Sequence, residues 1–268
     1  MPQLTSMKKL ARRVGLKGIY EADRALHRFG YEIKMRPETS WFLWQERVSG
    51  AARQRLLANH EIDLVVDVGA NTGQYGHSMR EIGYNGPVVS FEPQRQCIPG
   101  LSEAARVDGN WTVVPVAIGA ADGELLLNVA GNSVSSSLLP MLDSHVNAAP
   151  GSGYVAKELI PVRTTDGELS VSPYDKASNI WHKIDTQGYE WPVIEGAVKT
   201  LERTAVLEIE LSLCPLYDGQ LLLPEIVDRL ERRGFALHAL NEVFVDPATD
   251  RLLQVDGIFV KWSDSIVG

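Results

Sequence analysis

Residues 65–76, VVDVGANTGQYG, constrain this chain more than any other stretch. Two β-branched residues run into Asp67 and glycines follow at 69, 73 and 76, the pattern of a buried strand that breaks into a tight turn and then a helix. Glycine at such a turn lets a ligand touch bare backbone. The spacing is G-x-x-x-G-x-x-G. The dinucleotide fingerprint G-x-G-x-x-G instead clears room for a pyrophosphate with its second glycine, and here Asn71 fills that place. An acid just before the first glycine sits badly beside a phosphate but suits a cationic ligand, such as the ammonium end of S-adenosylmethionine. A methyl donor is therefore the first expectation for this turn, with a nicotinamide as the rival.

A chain of 268 residues can bury a substantial core, and 44% hydrophobic with 22% charged residues is ordinary for a soluble globule. No apolar run approaches the roughly 18 residues of a spanning helix, and the N-terminus lacks an apolar signal core, so a cytoplasmic location is the default expectation. Cys97 and Cys214 show neither metal-type spacing nor a disulfide framework. The net charge of −8 hides an asymmetry: residues 1–60 hold 12 Lys and Arg against 5 Asp and Glu, and the remainder 14 against 29. We read 1–60 as a basic, mostly helical extension and 61–268 as one α/β domain. An acidic catalytic body argues against nucleic acid as substrate, because phosphate neutralisation dominates that affinity. In the extension, Leu4, Met7, Leu10, Val14, Ile19, Ala22, Leu26 and Phe29 recur at roughly helical spacing between lysines and arginines. Such a segment packs as a cap, meets an anionic membrane as a peripheral contact, or meets a partner subunit in a homo-oligomer. Trp41, Phe42 and Trp44 form an aromatic knot before a helix expected from about Glu46 to Asn59.

From Ile62 onward, short apolar runs alternate with helical stretches, the signature of a mostly parallel sheet with crossover helices. Strands are expected over Ile62–Val68, Val88–Phe91, Thr112–Ile118, Asn179–Asp185 and Ala205–Leu211, then a terminal pair over Ala236–Val245 and Gln254–Trp262. Asp122–Val129 reads as an extra strand pairing with Ile160–Arg163. Between them, residues of about 130–158 carry Ser133, Ser135, Ser136, Ser137 and His145 among apolar positions, which reads as a long irregular lid over the site. Glu92 closes the second strand 19 residues after Gly73, where doubly wound nucleoside-binding folds hold two ribose hydroxyls. Ligands of open α/β sheets lie beyond the carboxyl ends of the strands, so Asp67, Glu92, Asp185, Glu208 and Glu210 should converge there. A carboxylate within an apolar run costs several kcal/mol unless paired.

DVGANTGQYG at 67–76, FEP at 91–93, KIDTQGYE at 183–190, ELSLCPLYDG at 210–219 and DGIFVKW at 256–262 together resemble the FkbM-type S-adenosylmethionine-dependent methyltransferases. The resemblance covers roughly residue 60 to the end. It implies a class I methyltransferase fold, a Rossmann-like sheet with an antiparallel C-terminal strand. It also implies O-methylation of a hydroxyl, often on sugars of glycolipids, polysaccharides or secondary metabolites. By the same resemblance Asp67, Gly69, Asn71 and Gly73 would hold the methionine part of the cofactor, Glu92 its ribose, and Ala117 and Ile118 would flank the adenine. In TTDGEL, Thr165 stands where the family has a leucine before the acid Asp166. His182 replaces an apolar residue on the face opposite Lys183 and Asp185 and reads as a structural histidine.

Methyl transfer to a hydroxyl gains most from alignment and from removal of the hydroxyl proton. Candidates for the second task are Asp185, Glu210 and, if the lid folds down, His145, whose ordinary pKa suits a base near neutrality. Lys183 is placed to pair with a carboxylate or polarise the acceptor. Related sugar and catechol methyltransferases include members that bind Mg²⁺ through acids of this kind, so Asp185 and Glu210 are also the candidate metal ligands. An amine acceptor, and a non-catalytic protein that only binds the cofactor, remain open at this point.

Overall fold

The computed structural model describes residues 50–262 apart from residue 172. The expected basic helices over 4–30 and the Trp41, Phe42 and Trp44 knot lie outside the described residues. The chain divides into two compact units, Met1–Arg53 and Gln54–Gly268. Residues 50–59 are helical, and within the second unit Leu56 and Leu57 pack into a core with Val65, Met79, Leu101 and Trp181.

The strands β1 (Leu64–Val68), β2 (Val88–Phe91), β3 (Trp111–Val114), β7 (Ile180–Ile184), β8 (Thr204–Ser212), β9 (Phe235–Val245) and β10 (Leu252–Lys261) form one sheet in the order β3-β2-β1-β7-β8-β10-β9. Every pairing from β3 to β8 is parallel, and β10 runs antiparallel between β8 and β9. All residues of β1, β2 and β7 are buried, which is why these strands read as continuous apolar runs rather than alternations. The helices α1 (Gln74–Glu81) and α2 (Ile98–Asp108) cross between the first three strands. Two short helices, α5 (Glu190–Glu195) and α6 (Val198–Glu202), join β7 to β8, and α7 (Leu223–Glu231) leads to β9. The larger core lies on one side of the sheet, with Val66, Phe91, Leu169, Ile184, Val193, Ile226 and Phe259 in contact. Among the described residues no helix is long and apolar enough to cross a membrane.

Two expectations need correction. The third strand does not run through to Ile118. It stops at Val114 because Pro115 has no N–H to give to the ladder, and the chain turns with Val116 N–H donating to Val114 O. Residues Ala117–Ile118 then form β4 of a second, three-stranded sheet, ordered β4-β6-β5, with β5 (Gly123–Ala130) and β6 (Tyr154–Arg163) antiparallel. The segment expected as an irregular lid over 130–158 is consequently shorter and more ordered. It enters from β5, carries α3 (Asp143–Ala148) and leaves into β6, and bridges from Asn128 to Ser137 and from Met141 to Tyr217 tie it down. A four-residue helix α4 (Thr165–Glu168) follows, and the Asp166 carboxylate accepts from the Lys199 and Thr200 N–H groups at the start of α6.

His182, on β7, is fully buried and neither ring nitrogen has a partner among the described residues. Burial lowers its pKa from 6.5 to about 4, with Asp166 opposing weakly. A neutral imidazole is thus favoured in the fold, and the stability it contributes is complete above pH 6.5 and is lost as pH falls from there through about 4. His182→Leu should remove about 2 kcal/mol of the acid-dependent loss, read from urea unfolding at pH 7 and pH 4.5.

Candidate active site

At the carboxyl ends of β1, β2 and β7 lies a cleft of about 370 Å³, lined by Asp67, Gly69, Asn71, Glu92, Ala117, Ile118, Lys183 and Asp185 together with residues 133, 134 and 136–138 of the inserted segment. That volume is within the range of small-ligand pockets. The structure therefore brings six of the seven expected cofactor contacts, and two of the four expected catalytic groups, to one place. Gly73, Glu210 and His145 do not line it.

The turn after β1 is built by close approach. Gly69 has φ +84°, and a Cβ there would lie 1.8 Å from the carbonyl oxygen of Asp185, so this glycine lets the ends of β1 and β7 meet. Asp185 N–H donates to Val68 O across the same junction. Gly73 serves differently from the expectation: its Cβ would meet the Trp111 ring at 2.9 Å, and it admits the indole beneath the start of α1 rather than a ligand. Asn71 takes a left-handed φ of 48°, which aims its N–H at Glu92 Oε2, 2.7 Å away.

Glu92 is almost wholly buried, and its other oxygen, Oε1, accepts the Gln94 N–H at 2.8 Å. Burial raises the Glu92 pKa, and the two backbone donors oppose that rise. The carboxylate is thus fixed in orientation and keeps lone pairs for further donors. Asp67 occupies a row of residues in lateral register, Ser90 on β2, Asp67 on β1, Lys183 on β7 and Glu208 on β8. Ser90 Oγ donates to Asp67 Oδ2 at 3.0 Å and accepts from Trp111 Nε1 at 2.9 Å. Burial pushes the Asp67 pKa up to about 7, against the Ser90 hydrogen bond and the Lys183 charge. Ser90 and Trp111 were not singled out from the sequence. The signal available was a serine inside VVSF, a polar residue in a run that is otherwise apolar.

Lys183 Nζ lies 2.6 Å from Asp256 Oδ1 and 3.8 Å from Asp185 Oδ2. Burial works against its charge, but Asp256, Asp185 and Glu208 outweigh burial and raise its pKa. Lys183 is therefore an ion-paired ammonium facing the cleft. Tyr75, from α1, donates its hydroxyl proton to Glu208 Oε2 at 2.7 Å and lines the cleft beside Lys183.

The loop after β7 turns sharply, with Gln187 at φ 56° and Gly188 at φ 96°. Glu190 holds it by accepting from Thr186 N, Thr186 Oγ1 and Gly188 N with one oxygen, and burial raises the Glu190 pKa to about 7. Gln187 Nε2 donates to Asp185 Oδ1 at 2.9 Å and to Glu210 Oε2 at 2.7 Å, while its Oε1 accepts from the Tyr217 hydroxyl at 2.8 Å. Glu210 Oε2 also accepts from Gln254 Nε2 at 2.7 Å. Burial, with Asp185 and Glu190 nearby, pushes the Glu210 pKa well above the ordinary range. The expectation of Glu210 as a catalytic group is corrected accordingly: it stands behind Gln187, occupied by two amides.

These contacts also decide the metal. A cation shared by Asp185 and Glu210 would meet the Gln187 amide nitrogen, which already donates to both acids. No group of three or more His, Cys, Asp or Glu side chains suited to a metal occurs among the described residues. The donor set does not fit Mg²⁺, and the assignment of Asp185 and Glu210 as its ligands is withdrawn. His145 is likewise corrected. It is 2% exposed, its Nε2 is 3.2 Å from Ser135 Oγ, and its ring packs on Tyr217 and Phe244. Desolvation lowers its pKa from 6.5 to about 4, so it is a neutral support within the inserted segment rather than a base.

Acids at three adjacent parallel strand ends around one cleft define an α/β enzyme of the nucleoside-binding class. The methyltransferase FkbM domain matches residues 67–237, and the chain belongs to that family. In keeping with this, the mostly parallel sheet with its antiparallel β10 is the methyltransferase arrangement expected from the sequence. No curated protein matches the chain. Among solved structures it is similar to an rRNA methylase from Streptococcus thermophilus, with 13% identity, 79% of this chain and 95% of that one covered, and a TM-score of 0.41. It is also similar to magnesium protoporphyrin IX methyltransferase from Synechocystis PCC 6803 with bound SAM, with 10% identity, 95% and 96% covered, and a TM-score of 0.41. Neither likeness says what this chain methylates.

Ser90→Ala should cost about 1–3 kcal/mol of unfolding free energy, because it strips Asp67 Oδ2 and Trp111 Nε1 of their shared partner at once; chemical denaturation measures it.

Proposed function

We propose that this protein is an S-adenosylmethionine-dependent O-methyltransferase that acts on a hydroxyl of a sugar-bearing acceptor. The observation that carries the cofactor reading is Glu92: a buried carboxylate at the end of β2, locked by the Asn71 and Gln94 N–H groups, whose free lone pairs suit a pair of ribose hydroxyls. The residues around it fit the same ligand. Ala117, Ile118 and Leu127 offer an apolar wall for a flat base, and Asp67 with Gly69 offers a carboxylate and bare backbone for an amino-acid end. Bound there, the cofactor would supply a sulfonium methyl group for the acceptor oxygen to bond, with the sulfur leaving as a neutral thioether.

The protein's part is alignment and proton removal. Asp185 lines the cleft with its side chain 34% exposed, one oxygen held by Gln187 and the other toward Lys183. It is the acid best placed to orient an acceptor hydroxyl and to take its proton. Such a base contributes about 10² to 10⁴ in rate, and positioning as much as about 7–11 kcal/mol of the barrier. Ser133 gives the cleft a hydroxyl, and Asp185 and Lys183 give it charged groups, suited to a hydroxylated acceptor. The family resemblance favours a hydroxyl over an amine in the same way.

Calorimetric titration should show S-adenosylhomocysteine binding and NADH not binding; the reverse result would overturn the cofactor reading. Glu92→Gln should weaken that binding by at least about tenfold, since the amide nitrogen would face a backbone N–H and lose an acceptor. With labelled S-adenosylmethionine and a panel of deoxysugar glycosides and glycolipids, transfer should persist after exhaustive chelation, and Asp185→Asn should lower turnover by about 10² or more. Label appearing only on amine acceptors would refute the hydroxyl assignment.

A further inference from the structure

Each acid that lines the cleft at the ends of β2 and β7 is followed two residues later by a glutamine, as Glu92-Pro93-Gln94 and Asp185-Thr186-Gln187. Both glutamines also line the cleft, and both reach the same stretch of the inserted segment. Gln94 binds its own acid through the backbone, its N–H donating to Glu92 Oε1. Its side chain spans to the segment twice: Nε2 donates to Ser133 O at 3.1 Å, and Oε1 accepts from Ser136 Oγ at 2.8 Å. Gln187 binds its acid through the side chain, at Asp185 Oδ1. Its backbone oxygen accepts from Ser137 Oγ at 2.7 Å, and Tyr217, which donates to Gln187 Oε1, also lies 3.2 Å from Ser135 O.

The serines are used up in these bonds. Ser136 Oγ accepts the Ala130 N–H while donating to Gln94, and Ser137 Oγ accepts the Leu139 N–H while donating to Gln187. Each hydroxyl therefore has a defined direction. Strain sits at both fastenings, for Ser133 has φ 59° and Gln187 φ 56°, conformations that a non-glycine residue keeps only where its surroundings over-determine it. Ordinary loop packing would satisfy the polar groups of the segment from any neighbour. Here they are satisfied from the two residues whose own bonds run to the two acids of the cleft.

We propose that Gln94 and Gln187 are positioning residues that fasten segment 133–137 to Glu92 and Asp185, so that ligand affinity at the acids depends on the fastening. The proposal rests on the reading of the cleft as an S-adenosylmethionine site. The segment and the acids form one rigid wall, and freeing the segment also frees the carboxylates that the ligand needs preorganised.

The test uses the full chain with S-adenosylhomocysteine as probe. Titration calorimetry gives its affinity, and hydrogen exchange reports the amides of 132–139. Gln94→Ala and Ser136→Ala should each speed exchange in that segment in the ligand-free protein and weaken binding by about tenfold. The double variant should be little worse than either single, because the two changes break one link. Ser136→Thr, which keeps the hydroxyl, should restore most of the affinity. On the other side, Tyr217→Phe and Ser137→Ala should act in the same direction while retaining the ring and the small side chain, which guards against variants that do not fold. Unchanged exchange in the segment would overturn the proposal, and so would faster exchange with wild-type affinity, the result of a structural role alone. Wild-type protein that binds no S-adenosylhomocysteine would overturn the cofactor reading and this proposal with it, and that failure shows before any substitution is made.

Discussion

A charge buried at the centre of a sheet must be met by a partner or it neutralises, and this constraint organises the catalytic end of the molecule. Asp67 and Lys183 stand side by side on adjacent central strands, in register, with Ser90 on one flank and Glu208 on the other. Because the sheet is parallel and the register exact to the residue, a single lateral row delivers one hydroxyl, two carboxylates and one ammonium to the same face. The row is then extended by side chains from elsewhere: Trp111 onto Ser90, Tyr75 onto Glu208, Asp256 onto Lys183. The network fixes the floor of the cleft, and the pairing of strands fixes the network.

The second layer of acids is handled by backbone and amide donors rather than by cations. Glu92 takes two main-chain N–H groups, Glu190 takes two and a hydroxyl, and Glu210 takes the amides of Gln187 and Gln254. An amide donor orients a carboxylate without neutralising it. Such donors add no cation to this layer, where a phosphate-bearing ligand would need one. The same choice accounts for the misfit with Mg²⁺, since the space between Asp185 and Glu210 that a cation would bridge is spanned by the side chain of Gln187.

Much of this was legible in the sequence, and the limits were physical. Asp67, Gly69, Asn71, Glu92 and Asp185 could be placed because parallel strands put their ends together whatever the helices between them do. Gly73 was visible as a glycine, but its reason, the Trp111 ring, is 38 positions away in a residue whose role depends on packing. Pro115 marks the point where the third strand must leave the sheet, and its missing N–H makes that break readable in the sequence. The burial of His145 is not legible in the sequence, because the stretch around it carries no period from which burial can be read. The apolar neighbours that bury it, Tyr217 and Phe244, come from after β8 and from β9.

Gln187 shows most clearly what a single sequence hides. Its identity is ordinary and it lies in a loop, yet it joins the end of β7, the interior of β8, the Tyr217 turn and the inserted segment through four hydrogen-bonding contacts. Three of those partners are set by topology, and only the bond to Asp185 is local. A neutral donor is also the sole side chain of that length that can face two acids at once without adding a third charge or requiring an ion. Glutamate there would repel both carboxylates, and lysine would cancel them. The amide keeps Asp185 oriented and exposed to the cleft, the placement that a proton acceptor for an alcohol requires.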